Sequence, residues 1–157
     1  MPTERLLTLT SGSVAQTRQL GYRIGSASVP ATLILLNGEM GSGKTHVTQG
    51  IAQGLGITEV VNSPTFTIMK EYVSGRLPLY HFDLYRITTE DEVWSLGFAD
   101  YFHGNGVCVV EWADRLPDIW GVDWLAITIT AKATSSQRHL EVQAAGDAAI
   151  ALLKHLE

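Results

Sequence analysis

The stretch Gly38-Glu39-Met40-Gly41-Ser42-Gly43-Lys44-Thr45 limits what this chain can fold into more than any other segment. Its spacing is G-x-x-x-x-G-K-T. The apolar run "TLILLNG" leads into it, the mark of a strand buried on both faces. Val47, Ile51 and Leu55 follow at helical spacing, and the pattern stops near Gly54 and Gly56. Strand, glycine loop and helix in that order form a cradle for an anion. Glycines allow positive φ and let backbone N–H groups approach charged oxygens. The helix that follows turns its positive end toward the same place. Lys44 can set its ammonium on the β- and γ-phosphates of a nucleotide, and Thr45 can give its hydroxyl to Mg²⁺. A glycine turn that merely joins a strand to a helix has no need of Lys and Thr in that order. His46 is an ordinary helix residue near the phosphates.

The 157 residues suggest one domain, long enough to bury a core. A net charge of −5 argues against a chain that grips nucleic acid alone, which takes a basic surface. It leaves room for a role near RNA inside a larger complex. The lone cysteine, Cys108, excludes an internal disulfide and a cysteine-based zinc site, and its apolar setting predicts a small core residue. No apolar run reaches membrane-spanning length, and "MPTERLL" lacks the basic start and apolar middle of a secretory signal. A cytoplasmic location is expected.

Hydrophobic patterning predicts the remaining elements. "RLLTLT" reads as a first strand, and Ser13 as the N-cap of a helix from about Val14 to Ile24. "FTIMKEYV" and "LPLYHFDLYR" read as a hairpin around "SGR". Thr89 with Glu92 is a capping-box pattern opening a short helix through Trp94. "GVCVVEW" is a second fully buried strand, and "DRLPDIW" a turn with a helical piece. "WLAITITA" and "RHLEVQAA" form a second hairpin around "TSSQ", and a last helix carries Ile150, Leu153 and Leu156. Together these predict an α/β fold of the P-loop nucleotide-binding kind. It would be a three-layer sandwich on a mixed, mainly parallel sheet with antiparallel hairpins added.

A phosphate cradle alone hydrolyses little; it needs a carboxylate near the metal or the attacking water. There are two candidates: Glu111 after the apolar run in "VCVVE", and Asp83 within the strand-like segment "YHFDLYR". Either could hold Mg²⁺ or orient water, and spacing does not choose between them. His81, Asp83 and Tyr85 alternate, which predicts one polar face toward a cleft, with His81 as either a structural or a chemical residue. In "NSPTFTI", Pro64 pushes Ser63 toward extended backbone and sets Thr65 where a switch threonine senses a γ-phosphate.

Taken together, "NGEMGSGKT", "NSPTFTI", "YHFDLYR" and "VVEW", in that order, resemble the TsaE (YjeE) family. This family consists of small bacterial P-loop ATPases of tRNA threonylcarbamoyladenosine biosynthesis. "TRQLG" and "RHLEVQAAG" extend the resemblance to nearly the whole chain. It implies Mg²⁺-dependent ATP binding and slow hydrolysis, in concert with a catalytic transferase and its paralogue (TsaD-like and TsaB-like proteins). Those proteins modify adenosine 37 of tRNAs reading codons that begin with A; tRNA is met through the complex, and no membrane is involved. By the same resemblance, Gly41, Ser42, Gly43, Lys44, Thr45 and His46 match the phosphate-binding segment, and Thr45 and Glu111 the Mg²⁺ ligands. Asp83 matches a carboxylate needed for activity, Thr65 the switch threonine, and Trp112 the tryptophan after the glutamate. Ser13 and Ser136 match positions that touch the nucleotide away from its phosphates. The chain departs from the family at Glu39-Met40, commonly Asp-Leu, and at His46, commonly a second threonine or similar residue.

Two other readings share the cradle. A small-molecule kinase would add a lid with phosphate-clamping arginines; none of the seven arginines lies in an obvious lid segment. A non-hydrolysing nucleotide-dependent binding switch would need no working carboxylate.

Overall fold

The computed structural model describes residues 4–64, 66–132 and 135–157. The predicted switch residue Thr65 therefore lies outside the described residues, as does part of the second hairpin's turn. The strands are β1 (Glu4–Ser11), β2 (Leu33–Gly38), β3 (Met69–Tyr72), β4 (Leu79–Asp83), β5 (Val107–Glu111), β6 (Trp124–Ala131) and β7 (Arg138–Ala145). The helices are α1 (Val14–Ala27), α2 (Lys44–Gly54), α3 (Glu90–Ser95), α4 (Phe98–Phe102) and α5 (Asp147–Lys154).

All seven strands join one sheet in the order β1-β7-β6-β2-β5-β4-β3. Its centre, β6-β2-β5-β4, is parallel. Both flanks are antiparallel: β3 on β4 at one side, β7 and β1 beyond β6 at the other. The continuous apolar runs end up in the centre because helices cover both faces there. Ile34, Leu36, Val109 and Ile127 pack with Ile24, Val47, Ile51 and Leu153, from α1, α2 and α5. Leu33, Leu35, Cys108 and Val110 face the other way, against Val93 of α3, Phe98 of α4 and Trp120. Alternation along a strand thus feeds two cores from one sheet, giving the three predicted layers.

α1 and α2 touch through glycines. A Cβ on Gly50 would stand 2.1 Å from the Arg18 carbonyl oxygen, and one on Gly25 would stand 2.1 Å from that of Ile51. Gly21 and Gly54 are equally close, at 2.3 Å from the carbonyls of Val47 and Tyr22. The helix that begins at the glycine loop is therefore held backbone to backbone against its neighbour.

Several local expectations change. The first hairpin is shorter and its loop wider than "SGR": Tyr72 and Leu79 close the ladder. Residues 73–78 between them pack onto the helix ends, where Arg76 donates to the carbonyls of Gly25 and Ser28 at 2.9 and 3.1 Å. Phe66 and Thr67 lie in a turn rather than a strand, because the Thr67 and Ile68 amides both donate to the Pro64 carbonyl. β4 ends at Asp83, whose Oδ1 accepts the Tyr85 N–H at 2.8 Å and turns the chain out of the sheet. The polar face expected of His81, Asp83 and Tyr85 is thereby divided: His81 is fully buried, and Tyr85 stands beyond the strand. α4 was not foreseen. It follows Gly97, with φ of +78°, and closes an aromatic cluster in which the Phe82 and Phe98 rings lie 4.1 Å apart.

Candidate functional site

The carboxyl ends of β2, β4 and β5 meet at one edge of the sheet, where open α/β sheets bind ligands. There the structure has a cavity of about 410 Å³. Gly41, Gly43, Lys44, Thr45 and His46 line it from the glycine loop, and Asp83 and Glu111 from the neighbouring strands. The antiparallel flank brings Ser136 and Arg138 to the same edge, beside Val14 and Thr17 of α1.

The loop has the backbone that its glycines predict. Gly41 and Gly43 take φ of +78° and +117°. A Cβ on Gly41 would meet nothing within 4 Å, and one on Gly43 would reach only Thr17, at 4.0 Å. The space beside these residues is open, as a cradle for phosphate requires. Lys44 folds back over the loop: its Nζ donates to the carbonyls of Gly38 and Glu39 and lies 4.1 Å from the centre of the Trp112 ring. Burial holds its pKa below the ordinary lysine value, while the charges of Glu111 and Asp83, with Asp114 and Glu39, pull it back up.

Asp83 and Glu111 are register partners across β4 and β5 and face the same side. Both line the cavity yet are nearly inaccessible, at 2 % and 3 % exposure. Different neighbours hold them. Ser63 Oγ donates to Asp83 Oδ2 at 3.3 Å, opposite the Tyr85 amide on Oδ1. Glu111 Oε2 lies 2.6 Å from His81 Nε2 in the fully buried layer below. His81 Nδ1 has no hydrogen-bond partner among the described residues. His81 thus braces Glu111 from within the core.

Beyond Glu111, Trp112 adopts the left-handed conformation, with φ of +59°. Its amide donates to the Leu36 carbonyl at 3.0 Å, and its ring meets Tyr85 at 5.0 Å.

Two predicted contacts fall outside the cavity wall. Ser13 caps α1, its Oγ accepting the Gln16 amide at 3.1 Å, and leaves the wall to Val14. Ser42 is buried, and its Oγ lacks a partner among the described residues. Ser136 does line the cavity, with its Oγ donating to the Gly12 carbonyl at 3.1 Å. Sequence reasoning missed Ser63 and Arg138. Both lie in stretches that carry the family resemblance, "NSPTFTI" and "RHLEVQAAG", but their contacts here are with segments distant in the chain.

The residues suit a magnesium nucleotide. Among the described residues no three His, Cys, Asp or Glu side chains converge on a common metal position. Thr45, Asp83 and Glu111 instead bring a hydroxyl and two carboxylates to the cavity, the hard oxygen donors that Mg²⁺ takes. No helix is long and apolar enough to cross a membrane, among the described residues.

Comparison with known proteins points to one family. The family model "Threonylcarbamoyl adenosine biosynthesis protein TsaE" matches residues 11–140. The tRNA threonylcarbamoyladenosine biosynthesis protein TsaE of Bacillus subtilis is 45% identical over 132 residues, spanning 84% of this chain and 82% of its own. Its namesake from a Nostoc species is 45% identical over 105 residues, 64% of each chain. The crystal structure of Bacillus subtilis YdiB superposes with a TM-score of 0.84 at 35% identity, covering 99% of this chain and 97% of that one. From the loop, the paired carboxylates and the match across most of its length, we conclude that this chain belongs to the TsaE family of threonylcarbamoyl adenosine biosynthesis proteins.

Proposed function

We propose that this protein is a Mg²⁺-dependent ATPase, slow on its own. It would serve the formation of N6-threonylcarbamoyladenosine at position 37 of tRNAs reading codons that begin with A. It would do so in the cytoplasm, alongside TsaD-like and TsaB-like partners that carry out the transfer and contact the tRNA. The observation that carries the reading is the convergence on one cavity of the Lys44 loop and the Asp83–Glu111 register pair. The cavity's volume falls within the range of small-molecule sites.

In this reading the amides of Gly41 to His46 wrap the phosphates, with the N-terminus of α2 behind them. Lys44 leaves the Gly38 and Glu39 carbonyls and moves onto the β- and γ-phosphates. Thr45 and Glu111 would hold Mg²⁺, which would offset the charge that develops on the phosphate oxygens. Asp83, fixed through both oxygens by Ser63 and Tyr85, orients the attacking water. Ser136, which also lines the cavity, would meet the nucleotide away from its phosphates.

The test is equilibrium Mg-ATP binding and steady-state hydrolysis for four proteins: wild type, Lys44→Ala, Asp83→Asn and Glu111→Gln. Each is measured with and without the two transferase components. Lys44→Ala should weaken ATP binding by about tenfold or more, because a charge-assisted contact is lost. Asp83→Asn should keep ATP and lose hydrolysis, and the partners should change the wild-type rate. Unchanged affinity in Lys44→Ala would overturn the phosphate assignment. Full tRNA modification supported by Asp83→Asn would favour a binding switch instead.

A further inference from the structure

We propose that Arg138, the first residue of β7, is a positioning residue of the phosphate cradle. Its guanidinium fixes the Ser42–Gly43 peptide so that the Gly43 N–H is presented to bound phosphate. The proposal rests on the nucleotide reading above. Arg138 Nε donates to the Ser42 carbonyl at 2.8 Å. The guanidinium is itself held, since Nη1 donates to the carbonyls of Ser135 and Gln137 at 3.3 and 3.0 Å. β7 lies between β1 and β6, and Arg138 is in register with Ser11 on one side and Ala131 on the other. The bond therefore ties the loop to a strand with neighbours on both sides, 96 residues away in sequence.

The Ser42–Gly43 peptide needs such a tie. The amide of Ser42 is fixed within the loop, donating to the Glu39 carbonyl at 3.1 Å. Its hydroxyl fixes nothing among the described residues. Gly43 follows at φ of +117°, and with no Cβ it resists rotation of the adjoining peptide least of all residues. A trans peptide is planar and its C=O and N–H point in opposite directions. Anchoring the Ser42 oxygen on Arg138 therefore turns the Gly43 N–H away from Arg138. The cradle is then assembled before phosphate arrives and pays less ordering cost on binding.

The experiment is amide NMR of the whole chain, with ADP and ATP titrations, for wild type, Arg138→Met and Arg138→Lys. Arg138→Gln stands in if the methionine variant does not fold. In nucleotide-free Arg138→Met the Gly43 amide should broaden or double while the interior of α2 keeps its shifts. ADP and ATP affinity should fall about tenfold, with thermal stability held. An unmoved Gly43 resonance overturns the proposal. If affinity falls with Gly43 unmoved and Arg138→Lys restores it, Arg138 acts as a charge on the ligand, and the positioning role is again refuted. If Gly43 broadens but the wild type binds neither nucleotide, the loop clamp stands and the nucleotide reading falls.

Discussion

Replacing Gly50 by alanine tests the packing that holds the cradle helix, because two opposed effects predict opposite signs. In an exposed helix interior, Gly→Ala stabilises by about 1 kcal/mol. At Gly50 the new Cβ would lie 2.1 Å from the Arg18 carbonyl oxygen, about 1 Å inside the closest approach that real Cβ atoms show. The obstacle is backbone, so no side chain can swing away. α1 and α2 must separate, and the many contacts between them loosen. Overpacking of this kind costs about 1–3 kcal/mol and more where backbone must move. Set against the propensity gain, the net loss should be about 2 kcal/mol, or a fall of about 4–8 °C in Tm for a chain of this size. Thermal and urea unfolding of Gly50→Ala beside wild type would measure it. A variant as stable as wild type, or more so, would refute the backbone contact between the helices.

Other consequences follow from the site and the core. Burial raises the Cys108 thiol to about 12, leaving a thiolate fraction of about one in 10⁴ at pH 8. It should resist a thiol-specific disulfide reagent until denaturant is added, and prompt reaction of the native protein would contradict its burial. Burial lowers the Lys44 pKa, whereas phosphates would raise it, so ATP binding at alkaline pH should take up protons. Affinity should then decline as pH rises through the free protein's Lys44 pKa, below 10.5; calorimetry in buffers of different ionisation enthalpy reads the proton uptake. His81→Leu leaves Glu111 without its buried partner, and urea unfolding should show a loss on the order of 3 kcal/mol. His81→Gln, whose amide can reach the same oxygen, should recover part of that loss.

Much of this protein could be read from residue order alone, because the interactions concerned are local. G-x-x-x-x-G-K-T dictates its own backbone, and the strand and helix around it follow from apolar spacing over a few residues. The caps at Ser13 and Thr89 are equally local, each oxygen accepting an amide three residues on. Asp83 and Glu111 could be named as candidates because Glu111 follows an apolar run and Asp83 lies within a strand-like segment. Their meeting could not, since it depends on β4 and β5 being parallel neighbours in a particular register. The burial of His81 under Glu111, the glycine contact of α1 with α2, and the reach of Arg138 to Ser42 likewise join segments far apart in the chain. Local pattern carries no record of strand order, and a one-residue slip of register would turn every side chain to the opposite face. Residue order thus determined that the glycine loop would form between a strand and a helix, and only the tertiary structure decided which side chains surround it.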